Sequence, residues 1–240
     1  LELLDLIRSL ASKLTEEGLA KAIDHTMLRP GATYEDLERA CREAAERGFA
    51  ACYVSPWFVR RASELLEGSG VKVGSVVSFP HGNSPIDVKV REASLLIEMG
   101  ADEVDMVANL GAIRGHAWEY LREEVSRVAE VVHDAGCVLK VIIETGLLSD
   151  EEKAKAAEVV AEAGGDYVKT CTGFVGRGVT VHDVLVLRRA LRGGAKIKAS
   201  GGIRHAADAL LLIAAGADRI GTSAGIAIHD EFKRLSELLA

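Results

Sequence analysis

Two lysines stand where packed strands should be apolar. Lys169 lies in "GGDYVKTCTG" (164–173), directly after Tyr167 and Val168, and Lys198 repeats the pattern in "AKIKASGG" (195–202). A charged amine on a packed strand costs roughly several kcal/mol unless it is paired or has lost its proton. Lys140 in "VLKVIIE" (138–144) is a third such lysine, and two acids, Asp24 in "KAIDHTML" (21–28) and Asp105 in "ADEVDMVAN" (101–109), interrupt apolar stretches in the same way. A lysine attacks a carbonyl only when neutral, and with an ordinary pKa near 10.4 only about one in a thousand is neutral near pH 7. A second ammonium close by disfavours the charged form, so Lys198 on a neighbouring strand can free Lys169 to form a Schiff base. The iminium then serves as an electron sink, and Asp105 and Lys140 can move protons directly or through a water. Lys198 is a candidate both for lowering the pKa of Lys169 and for proton transfer.

Glycine-rich segments supply the second signal. "SGGIR" (200–204) and "GTSAG" (221–225) each follow a strand-like segment. The backbone N–H groups of Gly201, Gly202 and Ser223, with Arg204 nearby, can cradle a phosphate. The four cysteines, Cys41, Cys52, Cys137 and Cys171, show no zinc-like spacing with histidine and read as free thiols. No metal and no cofactor is expected from these residues.

The elements that must position these side chains alternate along the chain. Strand-like segments lie at 21–28, 49–55, 71–79, 101–109, 138–144, 166–173, 195–202 and 218–225, several of them rich in Val and Ile and bounded by Gly or polar residues. Helical patterns lie between them. Thr33 starts a capping-box-like opening, Ser149 begins a helix with acids in its first turn where the dipole favours them, Ser55-Pro56 and Ser84-Pro85 place a cap residue before a helical proline, and residues 1–17 read as an extra N-terminal amphipathic helix. Eight strands, each followed by a helix, predict parallel strands closed into a (β/α)8 TIM barrel, with residues 1–240 as a single domain. The candidate residues then sit at the C-terminal ends of strands, and the loops after the seventh and eighth strands form the phosphate site usual in such barrels.

A net charge of −7 argues against a nucleic-acid surface, while leaving room for a local anion site. No stretch is long and apolar enough to span a bilayer, and no signal-peptide pattern is visible, so the expected location is the cytoplasm. Glutamine is absent and Asn83 and Asn109 are the only asparagines, which fits a thermophile's composition.

Taken in order, "IDHTML", "FPHGN", "GADEVDMVANLG", "LKVIIETG", "DYVKTCTGF", "IKASGGIR" and "RIGTSAG" resemble the deoxyribose-phosphate aldolases essentially from end to end. The resemblance implies a class I aldolase that reversibly cleaves 2-deoxy-D-ribose 5-phosphate to D-glyceraldehyde 3-phosphate and acetaldehyde. It implies Lys169 as the Schiff-base lysine, Lys198 as the lysine that depresses its pKa, and Asp105 as the proton-transfer acid. Asp24, Cys52 and Lys140 are implied around the active site. Gly201, Gly202, Gly221 and Ser223 match the phosphate loops, with Thr172 and Gly173 close by. Ala224 stands where family members often have a second serine, and Phe174 where some carry a basic residue; both bear on phosphate affinity, not on the Schiff base. Related barrels associate, so a homodimer or homotetramer is expected. A Schiff-base aldolase for another sugar phosphate, or a barrel that binds a sugar phosphate without turnover, are the alternatives. Release of acetaldehyde separates the first, and binding without product the second.

Overall fold

The computed structural model describes Ser9 and residues 14–239. The helix expected over residues 1–17 lies mostly outside these. What is described there is a short helix α1 (Glu16–Ala20), whose first turn is capped by the Thr15 hydroxyl.

Eight parallel strands close into a barrel in sequence order: β1 (Ile23–Met27), β2 (Ala51–Val54), β3 (Lys72–Val77), β4 (Glu103–Val107), β5 (Val138–Ile142), β6 (Tyr167–Lys169), β7 (Lys196–Ser200) and β8 (Arg219–Thr222). Each falls within one of the expected segments. The crossovers are α2 (Tyr34–Arg47), α3 (Val59–Leu66), α4 (Ile86–Glu98), α5 (Leu110–Arg114) with α6 (Trp118–Asp134), α7 (Asp150–Glu162), α8 (Val181–Leu191) and α9 (Ala206–Ala214). Helix α10 (Gly225–Leu239) follows β8.

The helix starts follow local chemistry. Thr33 and Ser149 form complete capping boxes with Asp36 and Glu152, each offering a hydroxyl to an otherwise orphan N–H. The Ser84 expectation is corrected: Pro85 itself takes the cap position of α4, and the Ser84 N–H turns back to the Ser78 hydroxyl at 3.3 Å. Ser55 precedes a short 3-10 turn at Pro56–Phe58 and makes no side-chain cap.

Register decides which side chains enter the barrel. Paired residues on adjacent strands point the same way, and successive residues alternate. Asp105 pairs with Lys140, Lys140 with Tyr167, Lys169 with Lys198, Lys198 with Arg219, and Thr26 with Tyr53. These residues line the interior. The residues between them face the helices: Cys52, Val104 and Val168 join the hydrophobic layer that seals the strands from solvent, and buried His25 meets Glu43 of α2 at 3.0 Å. The barrel is thus apolar outside and ionic inside. Among the described residues no helix is long and apolar enough to cross a membrane.

Candidate active site

The ionic interior converges on Asp105. Its Oδ2 accepts hydrogen bonds from Lys169 Nζ at 2.8 Å and from Lys198 Nζ at 2.7 Å. Lys198 also sits 2.7 Å from Asp24 Oδ2, so it lies between two carboxylates. Arg219 holds the other oxygen of Asp24 through Nε at 2.7 Å and approaches Glu103 at 3.2 Å. Lys140 is bonded to Glu103 and to the Tyr53 hydroxyl, which itself donates to Glu103 at 2.9 Å. Asp24, Asp105, Lys140 and Tyr53 are fully buried, while Lys169 keeps 3% exposure.

Burial alone would push the carboxyls of Asp24 and Asp105 up, but the facing cations outweigh it and hold both below the usual carboxylate range. For Asp105 those cations are Lys169, Lys198 and Lys140, in that order. Lys169 goes the other way. Burial pushes its ammonium down and the Lys198 charge adds to that, against the opposing pull of Asp105. Of the two influences that lower it, desolvation is the larger. Burial and the facing carboxylates hold the Tyr53 phenol well above its ordinary pKa, so it stays protonated as a donor.

A cavity of about 540 Å³ opens beside this cluster, at the ends of β1, β6, β7 and β8. Thr172, Gly173, Gly201, Gly202, Arg204 and Ser223 all line it, so six of the seven expected phosphate residues meet there. Gly173, Gly201 and Gly202 have φ of +81°, +102° and +79°, a region that glycine enters freely. At Gly201 a Cβ would fall 2.9 Å from that of Cys171, so the two loops close on each other only without a side chain there. Thr172 is already engaged: its hydroxyl donates to buried Glu144 Oε2 at 2.6 Å, its N–H donates to the same oxygen at 3.0 Å, and its oxygen accepts the Phe174 N–H at 3.1 Å. These bonds fix the shape of the loop.

Two expected site residues fall elsewhere. Gly221 lies inside the barrel on β8, paired with Ser200, where a Cβ would stand 2.9 Å from Lys198 Cε. Its contribution is room for Lys198. Cys52 faces outward, in register with His25 and Val73, and packs beside Cys41 of α2; the Cys41 thiol and burial push its own thiol well up. The interior position on β2 belongs to Tyr53. Glu103, Tyr53 and Arg219 are the interior residues that the sequence reading missed. Glu103 was accessible to it, because it stands two residues before Asp105 and shares its face.

Comparison with known proteins follows the same lines. A family model described as DeoC/LacD family aldolase matches residues 18–231. A deoxyribose-phosphate aldolase from Caldanaerobacter subterraneus subsp. tengcongensis is 47% identical over 217 residues, covering 90% of this chain and 94% of that protein. One from Thermococcus gammatolerans is 48% identical over 212 residues, covering 88% and 94%. A solved deoxyribose phosphate aldolase from Aeropyrum pernix, described as a unique tetrameric structure, superposes with a TM-score of 0.88 at 38% identity, covering 95% of this chain and 97% of that one.

Proposed function

Because the chain belongs to the DeoC/LacD family of aldolases and is a class I deoxyribose-phosphate aldolase, we propose that Lys169 is its Schiff-base amine. Asp105 and Lys198 are proposed as the proton-transfer pair, and the glycine loops after β6 and β7, with Arg204 and Ser223, as the phosphate site. One observation carries the choice of lysine. Lys169 bonds one carboxylate, Asp105, and is the least buried of the three lysines, whereas Lys198 lies between two carboxylates and Lys140 is tied to Glu103. With Lys169 neutral, Lys140, Lys198 and Arg219 face Asp24, Glu103 and Asp105. That is an equal number of opposite charges in the network around Asp24, Glu103 and Asp105. A charged Lys169 leaves one buried cation in excess.

The chemistry follows from this placement. Neutral Lys169 attacks C1 of the open-chain sugar, and loss of water gives the iminium. A base takes the proton of the C3 hydroxyl, the C2–C3 bond breaks, and its electron pair moves into the iminium to give an enamine. Glyceraldehyde 3-phosphate leaves. The enamine takes a proton at C2, and water releases acetaldehyde from Lys169. Asp105 Oδ2 touches the Nζ atoms of both Lys169 and Lys198, which supports it as the acid–base at each proton step, with Lys198 as its proton reservoir. Gly201 lies three residues beyond Lys198, about 10 Å up the strand direction, a span that suits a five-carbon phosphate anchored at both ends.

The reading extends to a cytoplasmic protein that assembles as a homodimer or homotetramer and folds as one barrel domain. Exposed Trp57 and Tyr34, with ring centroids 6.3 Å apart, offer apolar surface for such contacts. The test is release of acetaldehyde from 2-deoxyribose 5-phosphate by the wild type and by Lys169→Met. Activity in the wild type and its loss in a folded variant are expected; turnover surviving in the variant would remove Lys169 from the role.

A further inference from the structure

Two aromatic rings stand 6.0 Å from Lys169 Nζ: Tyr53, inside the barrel, and Phe79, in the loop after β3. The proton and phosphate chemistry above uses neither. Tyr53 is held in place from several sides. Its hydroxyl binds Lys140 and Glu103, its face lies 3.4 Å from Lys198 Nζ, and opposite it β3 carries Gly74. A Cβ at Gly74 would run into three carbons of the ring. The ring thus fills the space that a strand-three side chain would otherwise occupy. Phe79 is held by an edge-on contact with Phe174, with centroids 5.2 Å apart.

The rings close one side of the nucleophile. The phosphate cavity opens at the ends of β1, β6, β7 and β8, so a substrate joined to Lys169 through C1 runs toward that side. The donor carbons, C1 and C2, form its other end and face β2 and β3. With standard bond lengths, C2 of an enamine lies about 2.5 Å from the nitrogen, and a methyl carried on C2 about 3–4 Å from it. Carbon needs roughly 3.5–4 Å from an aromatic ring. A C2 directed toward either ring would meet it at contact distance, and a methyl beyond it on the same side would have no room.

We propose that Tyr53, seated by Gly74, with Phe79 as the second wall, restricts the donor aldehyde on Lys169 to two carbons. The proposal rests on Lys169 as the Schiff-base residue. One extra carbon in a fitted pocket is worth roughly 10–200-fold in specificity.

The experiment runs the aldol addition to glyceraldehyde 3-phosphate with acetaldehyde or propanal as donor and compares kcat/KM. The wild type is expected to prefer acetaldehyde by at least tenfold. Tyr53→Val should lower that preference at least tenfold, and Tyr53→Phe, which keeps the ring, should leave it within about twofold. Phe79→Ala should also lower the preference, and it leaves the buried ion network intact should Tyr53→Val fail to fold. A wild type without preference overturns the proposal, and so does an unchanged ratio in Phe79→Ala together with folded Tyr53→Val. Borohydride trapping of acetaldehyde on the wild type separates the two levels. Label absent from Lys169 defeats the underlying assignment, whereas label on Lys169 with unchanged ratios defeats the donor restriction alone.

Discussion

Replacing Lys198 by methionine removes one of two ammonium groups that share Asp105 Oδ2 while keeping an unbranched chain of similar length. At a spacing of roughly 4 Å and an effective dielectric near 20, the lost repulsion is about 4 kcal/mol. Asp105 and Asp24 lose a cation as well, which strengthens the pull of Asp105 on the Lys169 proton. Both changes favour the charged form of Lys169. Burial, the larger cause of its lowered pKa, remains in the variant, so the shift should be partial. A lysine is neutral above its pKa, so a lowered pKa brings the reactive form to lower pH. Raising it again moves the onset of reactivity to higher pH, and at pH 7 the neutral fraction should fall by up to about a thousandfold. Turnover alone would mix this effect with lost proton transfer. The assay is therefore the extent of iminium trapped by borohydride in short exposures to acetaldehyde between pH 5 and 10. The trapping curve of Lys198→Met should lie well to the alkaline side of the wild-type curve. Superimposable curves would refute the like-charge argument and leave desolvation as the sole cause.

Gly202→Asp should cut cleavage of 2-deoxyribose 5-phosphate steeply and that of unphosphorylated 2-deoxyribose much less, because the carboxylate would face the phosphate dianion; equal losses in a folded variant would make the glycines plain turns. Gly221→Ala should instead lower kcat for both substrates alike, at least tenfold, since its methyl displaces Lys198 and not the phosphate; a rise in KM confined to the phosphorylated substrate would contradict this. Lys89→Met should cost about 3–5 kcal/mol, read from chemical denaturation, because it strands buried Glu124, which Lys89 meets at 2.6 Å and which in turn accepts the Asn109 N–H at 2.9 Å. A change within about 1 kcal/mol, the size of the extrapolation error, would show that Glu124 accepts a proton instead.

The barrel was legible because its strands are short, rich in Val and Ile, and punctuated by glycine, and because five ionisable residues broke that pattern at matching depths. The cavity proposed for the phosphate was partly legible from the loop that carries Gly201 and Gly202, both of which line it. Facing was not legible in β2. "FAACYVS" is apolar throughout, as strands buried on both faces are, so no alternation told Cys52 from Tyr53. Only the register with Thr26 and Gly74 sends Tyr53 inward. Gly221 misled for a related reason. A glycine that makes room for a neighbouring lysine looks, in sequence, like one that cradles an anion. The grip of Glu144 on Thr172 joins residues 28 positions apart across two loops, a pairing that no local pattern announces.

The central claim is that Lys169 carries the substrate's carbon. Reduction with borohydride in the presence of acetaldehyde, followed by proteolysis and mass mapping, tests it directly. A two-carbon addition confined to Lys169, with matching loss of activity, is the predicted result. Addition at Lys198 or Lys140, or inactivation with Lys169 unmodified, would contradict the account.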